Sequence, residues 1–189
     1  PNRQVVSNIK SKNIGSMLAD GALKLQNAGA DFIVMPCNTA HMFSDDIKTR
    51  INIPFIHIVD ETINEITAYF PDKKSVGIMA TSACINAKIY QDGLTVNNKK
   101  FHLPSESYQD ECMKSIFDIK EGTEISNPAD SMYKIANHLT EKGAEILIAG
   151  CTEIPLVLKN EDLNVPLISS TEVLAIKTIE YANHIKIER

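Results

Sequence analysis

Apolar residues along this chain recur at two spacings. Ile14, Met17, Leu18, Leu25 and Ala28 fall at helical intervals on one face, with Gly29 placed to cap the helix end. The apolar run 31–35 that follows is too short for a helix and reads as a buried parallel strand. The same alternation predicts a helix over 39–50, a strand over 54–58, a helix over 60–69, a strand over 75–79 and a helix over 82–92. Helices over 111–120 and 129–142, strands over 145–149 and 166–169, and a helix over 171–186 complete the pattern. Such alternation predicts an α/β fold in which mainly parallel sheets are flanked by helices.

An internal echo organises these elements. Gly29-Ala30-Asp31-Phe32-Ile33-Val34-Met35-Pro36-Cys37-Asn38-Thr39 aligns without a gap with Gly143-Ala144-Glu145-Ile146-Leu147-Ile148-Ala149-Gly150-Cys151-Thr152-Glu153. Downstream, Asn52-Ile53-Pro54-Phe55-Ile56 matches Asn164-Val165-Pro166-Leu167-Ile168. Any two strand-turn-helix units share features of this kind, but a cysteine at the same point of both copies points to a duplicated half-domain.

Composition narrows the possibilities. Net charge is −5 over 189 residues, with 43% apolar and 23% charged positions, ordinary values for a globular protein. A chain of this length can bury roughly 70% of its unfolded surface without metal or disulfide staples. Acidity without a Lys/Arg-rich block leaves no electrostatic footprint for nucleic acid. No apolar stretch approaches the about 18 residues that cross a bilayer, so no membrane partner is expected. Cys37, Cys84, Cys112 and Cys151 lie far apart with no Cys-x-x-Cys pair, which argues for reduced thiols and a cytoplasmic setting rather than disulfides or zinc. His57, His102, His138 and His184 show no metal spacing, and neither a phosphate-binding nor a dinucleotide-binding glycine loop is present.

The echoed cysteines sit where chemistry is expected. Ligands of open parallel sheets bind beyond the carboxyl ends of strands. A thiol at that turn, ahead of a helix N-terminus, is expected to ionise more readily than a free one. Two such thiols facing one another from duplicated halves would suit removal of a proton from one face of a carbon and its return to the other, which is racemisation or epimerisation. Cys84 and Cys112 read as packing residues. His41, one turn after Cys37, could pair with it as in a Cys-His hydrolase, although no third orienting residue is evident.

Met35-Pro36-Cys37-Asn38-Thr39-Ala40-His41 and Ala149-Gly150-Cys151-Thr152-Glu153-Ile154 resemble the two signature motifs of the aspartate/glutamate racemase superfamily, which works without pyridoxal phosphate. Glutamate racemases of that superfamily usually carry His after Cys-Thr and aspartate racemases carry Glu, so Glu153 tilts the resemblance to the aspartate branch. It implies two pseudo-symmetric α/β domains, 1–59 plus 170–189 and 60–169, with the active site in the cleft between them. It also implies Cys37 and Cys151 as catalytic acid and base, no cofactor, an acidic amino acid as the small-molecule partner, and a homodimer. Arg3 of Pro1-Asn2-Arg3 resembles an arginine that binds the substrate carboxylate. Asn38, Thr39, Thr81 and Thr152 would hold the α-carboxylate, roles compatible with simple helix capping. Lys120 matches a lysine that approaches the distal carboxylate or the thiol.

The resemblance further implies a strand, a Gly-Gly-Met-Gly loop and a helix ahead of Pro1, so the chain is expected to be N-terminally incomplete. Cys84 stands where the family tends to have threonine. Other superfamily activities are rivals, namely glutamate or hydantoin racemisation and maleate isomerisation; retention of both cysteines argues against a one-cysteine decarboxylase. A catalytically silent carboxylate-binding protein is the rival from outside enzymology.

Overall fold

The computed structural model describes residues 8–122 and 126–188. Helices α1 (Asn8–Asn27), α2 (Ser44–Lys48), α3 (Ile58–Tyr69), α4 (Ser82–Asn86), α5 (Ile89–Val96), α6 (Glu106–Glu121), α7 (Ser126–Glu141), α8 (Ile154–Val157) and α9 (Ser170–Glu188) alternate with short strands. The strands are β1 (Ile33–Val34), β2 (Phe55–Ile56), β3 (Ser75–Ala80), β4 (Lys100–His102), β5 (Ile146–Gly150) and β6 (Leu167–Ser169). They form two parallel sheets, β1-β2 and β4-β3-β5-β6. This is the helix-flanked parallel architecture that the alternating pattern predicts.

The sequence echo is a structural repeat. Gly29 and Gly143 both adopt left-handed backbone, with φ of +94° and +99°, conformations glycine takes at little cost. Each closes its helix with the same pair of bonds: Gly29 N–H to the Gln26 carbonyl and Ala30 N–H to that of Leu25, then Gly143 to Thr140 and Ala144 to Leu139. That pairing is a Schellman cap. Ile33 N–H then donates to Pro54 O and Leu147 N–H to Pro166 O, both at 2.8 Å, so β1-β2 and β5-β6 start in the same register. Ile33 lies opposite Phe55 as Leu147 lies opposite Leu167.

Strands β3 and β5 are buried on both faces, which is why they read as unbroken apolar runs. Val76, Ile78, Ala80, Ile146 and Ile148 face a core shared with Ile58, Ile63 and Ile66 of α3 and with Tyr90 and Leu94 of α5. Met79, Leu147 and Ala149 face the opposite core with Cys112 and Ile116 of α6 and Met132, Ile135 and Leu139 of α7. Full burial of each such aliphatic side chain contributes about 1.5 to 3 kcal/mol. Helix α9 packs on α3 and touches β2, β5 and β6, so it reaches both sheets. No described helix is long and apolar enough to cross a membrane.

Several elements depart from the sequence expectation. Residues 39–50 form a 3-10 turn, Thr39–Phe43, followed by the short α2 rather than one helix. The single helix expected over 82–92 is broken at Lys88, whose φ of 56° is left-handed. A non-glycine residue there costs about 1 to 2 kcal/mol, offset by the turn that carries Tyr90 and Leu94 into the core. Helix α6 begins at Glu106 instead of 111, because Gln109 donates to Ala80 O at 3.0 Å and to Ser82 Oγ at 3.1 Å. Strand β4 carries no apolar run in the sequence, because Lys100 and His102 are polar positions at the sheet edge.

His41 locks the turn after β1 to the start of α3. Its Nδ1 lies 2.8 Å from Cys37 O and its Nε2 accepts the Ile58 N–H at 3.2 Å. Both bonds are satisfied only by the neutral tautomer carrying hydrogen on Nδ1. Burial first, and then the neighbouring His57, lowers the His41 pKa from 6.5 to about 3, against smaller opposing effects of the Cys37 carbonyl and Asp60. Because the imidazole is neutral when folded and protonates in the unfolded chain, stability is complete above pH 6.5 and is lost as pH falls toward 3. The loss from this group should reach about 2 kcal/mol by about pH 5. Urea unfolding across that range should show the decline, and His41→Gln should flatten it; an unchanged slope in the variant would assign the titration elsewhere.

Candidate active site

The carboxyl ends of β1, β3 and β5 carry most of the residues singled out from sequence. Cys37 lies in the turn after β1, its N–H donating to Met35 O at 2.8 Å, and is partly exposed. Two residues on, the Thr39 hydroxyl lies 2.8 Å from that of Thr81, which directly follows β3. Thr81 also caps α4 by accepting the Cys84 N–H at 3.2 Å. The capping and site readings of Thr81 therefore coexist in one side chain.

Cys84 is buried beneath this turn. Burial, reinforced by the negative potential of nearby Cys37, pushes its thiol up to about 12. Cys112 is likewise buried and pushed up to about 12 by desolvation. Both are neutral packing thiols at ordinary pH. His41 bonds the backbone carbonyl of Cys37, so it orients the turn and the Cys-His hydrolase alternative finds no support.

Cys151 follows β5 at the position equivalent to Cys37. Its thiol donates to Glu153 Oε2 at 2.8 Å, and the Thr152 hydroxyl donates to the same oxygen at 2.9 Å. The other carboxylate oxygen, Oε1, lies 3.5 Å from Lys120 Nζ. Lys120 arrives there because α6 is anchored to the end of β3 by Gln109 and to the start of α4 by Met113, whose sulfur accepts the Ser82 N–H at 3.2 Å. It occupies the last turn of that helix, where the dipole favours a cation.

Electrostatics of this group differ from the sequence expectation. Burial is the largest influence on Cys151 and, with the Glu153 charge, raises its pKa well above that of a free thiol; the helix start does not bring it down. Burial also pushes Glu153 upward, but the bonds from Cys151 and Thr152 and the charge of Lys120 outweigh it, leaving that carboxyl below its ordinary value. The resting arrangement is thus a thiol beside a carboxylate, with its proton aimed at an acceptor. In the sequence Glu153 marks a branch of the superfamily; its position two residues after the second cysteine is the signal for its contact with that thiol.

Asn38 is 3% exposed, its amide turned inward. It donates through Nδ2 to Ser170 Oγ at 2.9 Å and accepts from the Tyr90 hydroxyl. Ser170 Oγ in turn donates to Ala149 O at 2.9 Å, two residues before Cys151, so these bonds link the two cysteine turns. Of the expected residues, Thr39 and Thr81 meet directly, while Cys151, Thr152 and Lys120 meet through Glu153. Arg3 lies outside the described residues. Among those described, no group of three or more His, Cys, Asp or Glu is arranged to hold a metal ion.

Comparison with known proteins identifies the family. Over 162 residues the chain is 33% identical to the broad specificity amino-acid racemase RacX of Bacillus subtilis (strain 168), covering 86% of this chain and 69% of that protein. An aspartate racemase homologue from Pyrococcus horikoshii OT3 superposes with a TM-score of 0.77 at 28% identity, covering 89% of this chain and 74% of that one. The aspartate racemase of Picrophilus torridus gives 0.76 at 27% identity, covering 88% and 68%. A family model of Asp/Glu/hydantoin racemases matches residues 6–178, a span that includes both cysteine turns and both sheets, and the chain therefore belongs to that family.

Proposed function

We propose that this protein racemises an acidic amino acid, aspartate above all, with Cys37 and Cys151 as the two acid/base groups. The equivalent seats of Cys37 and Cys151, each in the turn after a parallel strand of the repeat, carry this reading. The thiolate of one cysteine takes the α-proton, the electron pair stays on the substrate carbon, and the thiol of the other delivers its proton to the opposite face. Each turnover leaves the thiolate and thiol exchanged. When Cys151 must act as base, its proton passes first to Glu153 Oε2, which it already faces at 2.8 Å. Thr39, Thr81 and Thr152 supply hydroxyl donors for the α-carboxylate, Asn38, whose side chain is engaged in the interior, its backbone N–H, and Arg3 a cation. Domains of 1–59 plus 170–189 and 60–169, with substrate between them, complete the proposal. Four free thiols support a reducing, cytoplasmic setting.

A second reading concerns breadth of specificity. Lys120, the cation proposed to meet a distal carboxylate, is paired with Glu153. A charge already compensated gives less selection for a dianionic substrate, which favours acceptance of neutral amino acids, as in the name of the Bacillus subtilis relative.

Isotope exchange separates the steps. Cys37→Ser and Cys151→Ser should each abolish interconversion, while α-deuterium exchange in heavy water survives, if at all, with opposite enantiomers. Glu153→Gln should lower racemisation about 10²-fold or more, the scale of general-base assistance. It should suppress exchange only for the enantiomer whose α-proton faces Cys151. Full racemisation by either cysteine variant would remove that cysteine from the chemistry.

Substrate choice is read by a second measurement. If Lys120 meets a distal carboxylate, Lys120→Met should reduce kcat/KM for aspartate about ten- to a hundredfold more than for alanine, the cost of a charge-assisted bond in a closed site. Equal losses for both substrates would select the broad reading.

A further inference from the structure

We infer that Tyr90 and Ser170 are positioning residues: with Asn38 they form a buried hydrogen-bond relay that sets the separation of the two cysteine turns. The inference rests on the racemase reading above and adds to it a requirement for inversion as distinct from proton exchange. Its direction follows from the inventory of donors. The Ala149 carbonyl can only accept, so the single hydroxyl hydrogen of Ser170, 2.9 Å away, is committed to it. Ser170 Oγ must then accept from Asn38 Nδ2, also at 2.9 Å, which fixes the amide with its oxygen toward the Tyr90 hydroxyl. Every hydrogen in the chain Tyr90 to Asn38 to Ser170 to Ala149 therefore points the same way. Burial keeps the Tyr90 phenol protonated, as a donor requires, and its oxygen also lies beside the Ser170 and Thr62 hydroxyls.

The two ends of the relay give it meaning. Asn38 immediately follows Cys37, and Ala149 stands two residues before Cys151. Tyr90 and Ser170 are 0% exposed and Asn38 3%, so this is interior structure held against the back of the site. The space beside Tyr90 is already filled: a Cβ on Gly150 would lie 3.1 Å from the ring, from Met79 O and from the Ala80 side chain. Ser170 opens α9 and Tyr90 sits on α5, so two helices hold the turns apart at one distance.

Spacing matters unequally to the two reactions. Exchange on one face needs a single thiol within reach of the α-proton. Inversion needs both thiols aligned on opposite sides of one carbon, and a misplacement of about 1 Å can cost about a hundredfold. A merely stabilising network would affect both processes alike.

The test uses the full chain and a panel of L- and D-aspartate, glutamate and alanine in heavy water. Inversion is followed by chiral chromatography and α-deuterium return to the starting enantiomer by mass spectrometry. Tyr90→Phe, which removes only the hydroxyl, and Ser170→Ala should lower inversion about ten- to a hundredfold, with exchange held within about threefold. Ser170→Thr, which keeps the hydroxyl, should restore the ratio; should the residue 170 variants not fold, Tyr90→Phe decides alone. Equal loss of inversion and exchange in a folded variant, or loss of neither, overturns the relay while leaving the racemase reading intact. Wild-type protein that neither inverts nor exchanges any member of the panel overturns both.

Discussion

The pairing of β3 with β5, an unbroken parallel ladder from Val76 opposite Ile146 to Ala80 opposite Gly150, is the constraint on which the rest of the site depends. Helix layers cover both faces of these strands, so no water competes for their backbone bonds, and a one-residue slip would exchange the side chains that fill the two cores. It ends with two chain turns side by side, Thr81 leaving one strand and Cys151 the other. Gly150 suits this closeness: a Cβ there would lie 3.1 Å from the Ala80 side chain, Met79 O and the Tyr90 ring, tighter than side chains ordinarily pack. The chemistry of both turns is thereby placed by the burial of residues that take no part in it.

Interior packing then dictates what the second cysteine can do. A buried thiol resists ionisation, and a carboxylate at its side increases the resistance. Glu153 itself would resist ionisation for the same reason, yet two donated hydrogen bonds and Lys120 overcome its burial. Lys120 is 39% exposed, so water screens its share and the thiol and Thr152 hydroxyl hold the carboxylate more firmly than the ion pair does. Under the proposed chemistry, proton sharing between Cys151 and Glu153 would reconcile an apolar site with a thiol that gains and loses a proton.

Much of this arrangement was legible in the sequence because the repeat repeats its punctuation. Gly29 and Gly143 close their helices with the same bonds, Pro54 and Pro166 accept equivalent inter-strand bonds, and Cys37 and Cys151 each follow a strand of the repeat. Helix α6, by contrast, begins in the polar stretch Glu106-Ser107-Tyr108-Gln109-Asp110, where no apolar period marks a helix and contacts to β3 decide. Lys88 breaks α4 from α5 without a glycine to announce the left-handed turn. The partnership of Lys120 with Glu153, and of Asn38 with Tyr90 and Ser170, joins residues far apart in the chain, which local spacing cannot reveal. Arg3 lies outside the described residues, so its proposed role rests on sequence alone.

Backbone symmetry and side-chain asymmetry have separate consequences under the proposed chemistry. The repeat gives both thiols equivalent seats, as reaction at two opposite faces of one carbon demands. The residues beside them are unlike: an amide committed to the interior follows Cys37, whereas a carboxylate receives the proton of Cys151. Such asymmetry cannot favour one product at equilibrium, because enantiomers have equal free energy in water and kcat/KM must be the same in both directions. It can act only by dividing that common value differently between kcat and KM, according to which cysteine must be ionised before each enantiomer reacts. A duplicated fold can therefore let its two copies diverge in polar detail, provided the spacing between the thiols is kept.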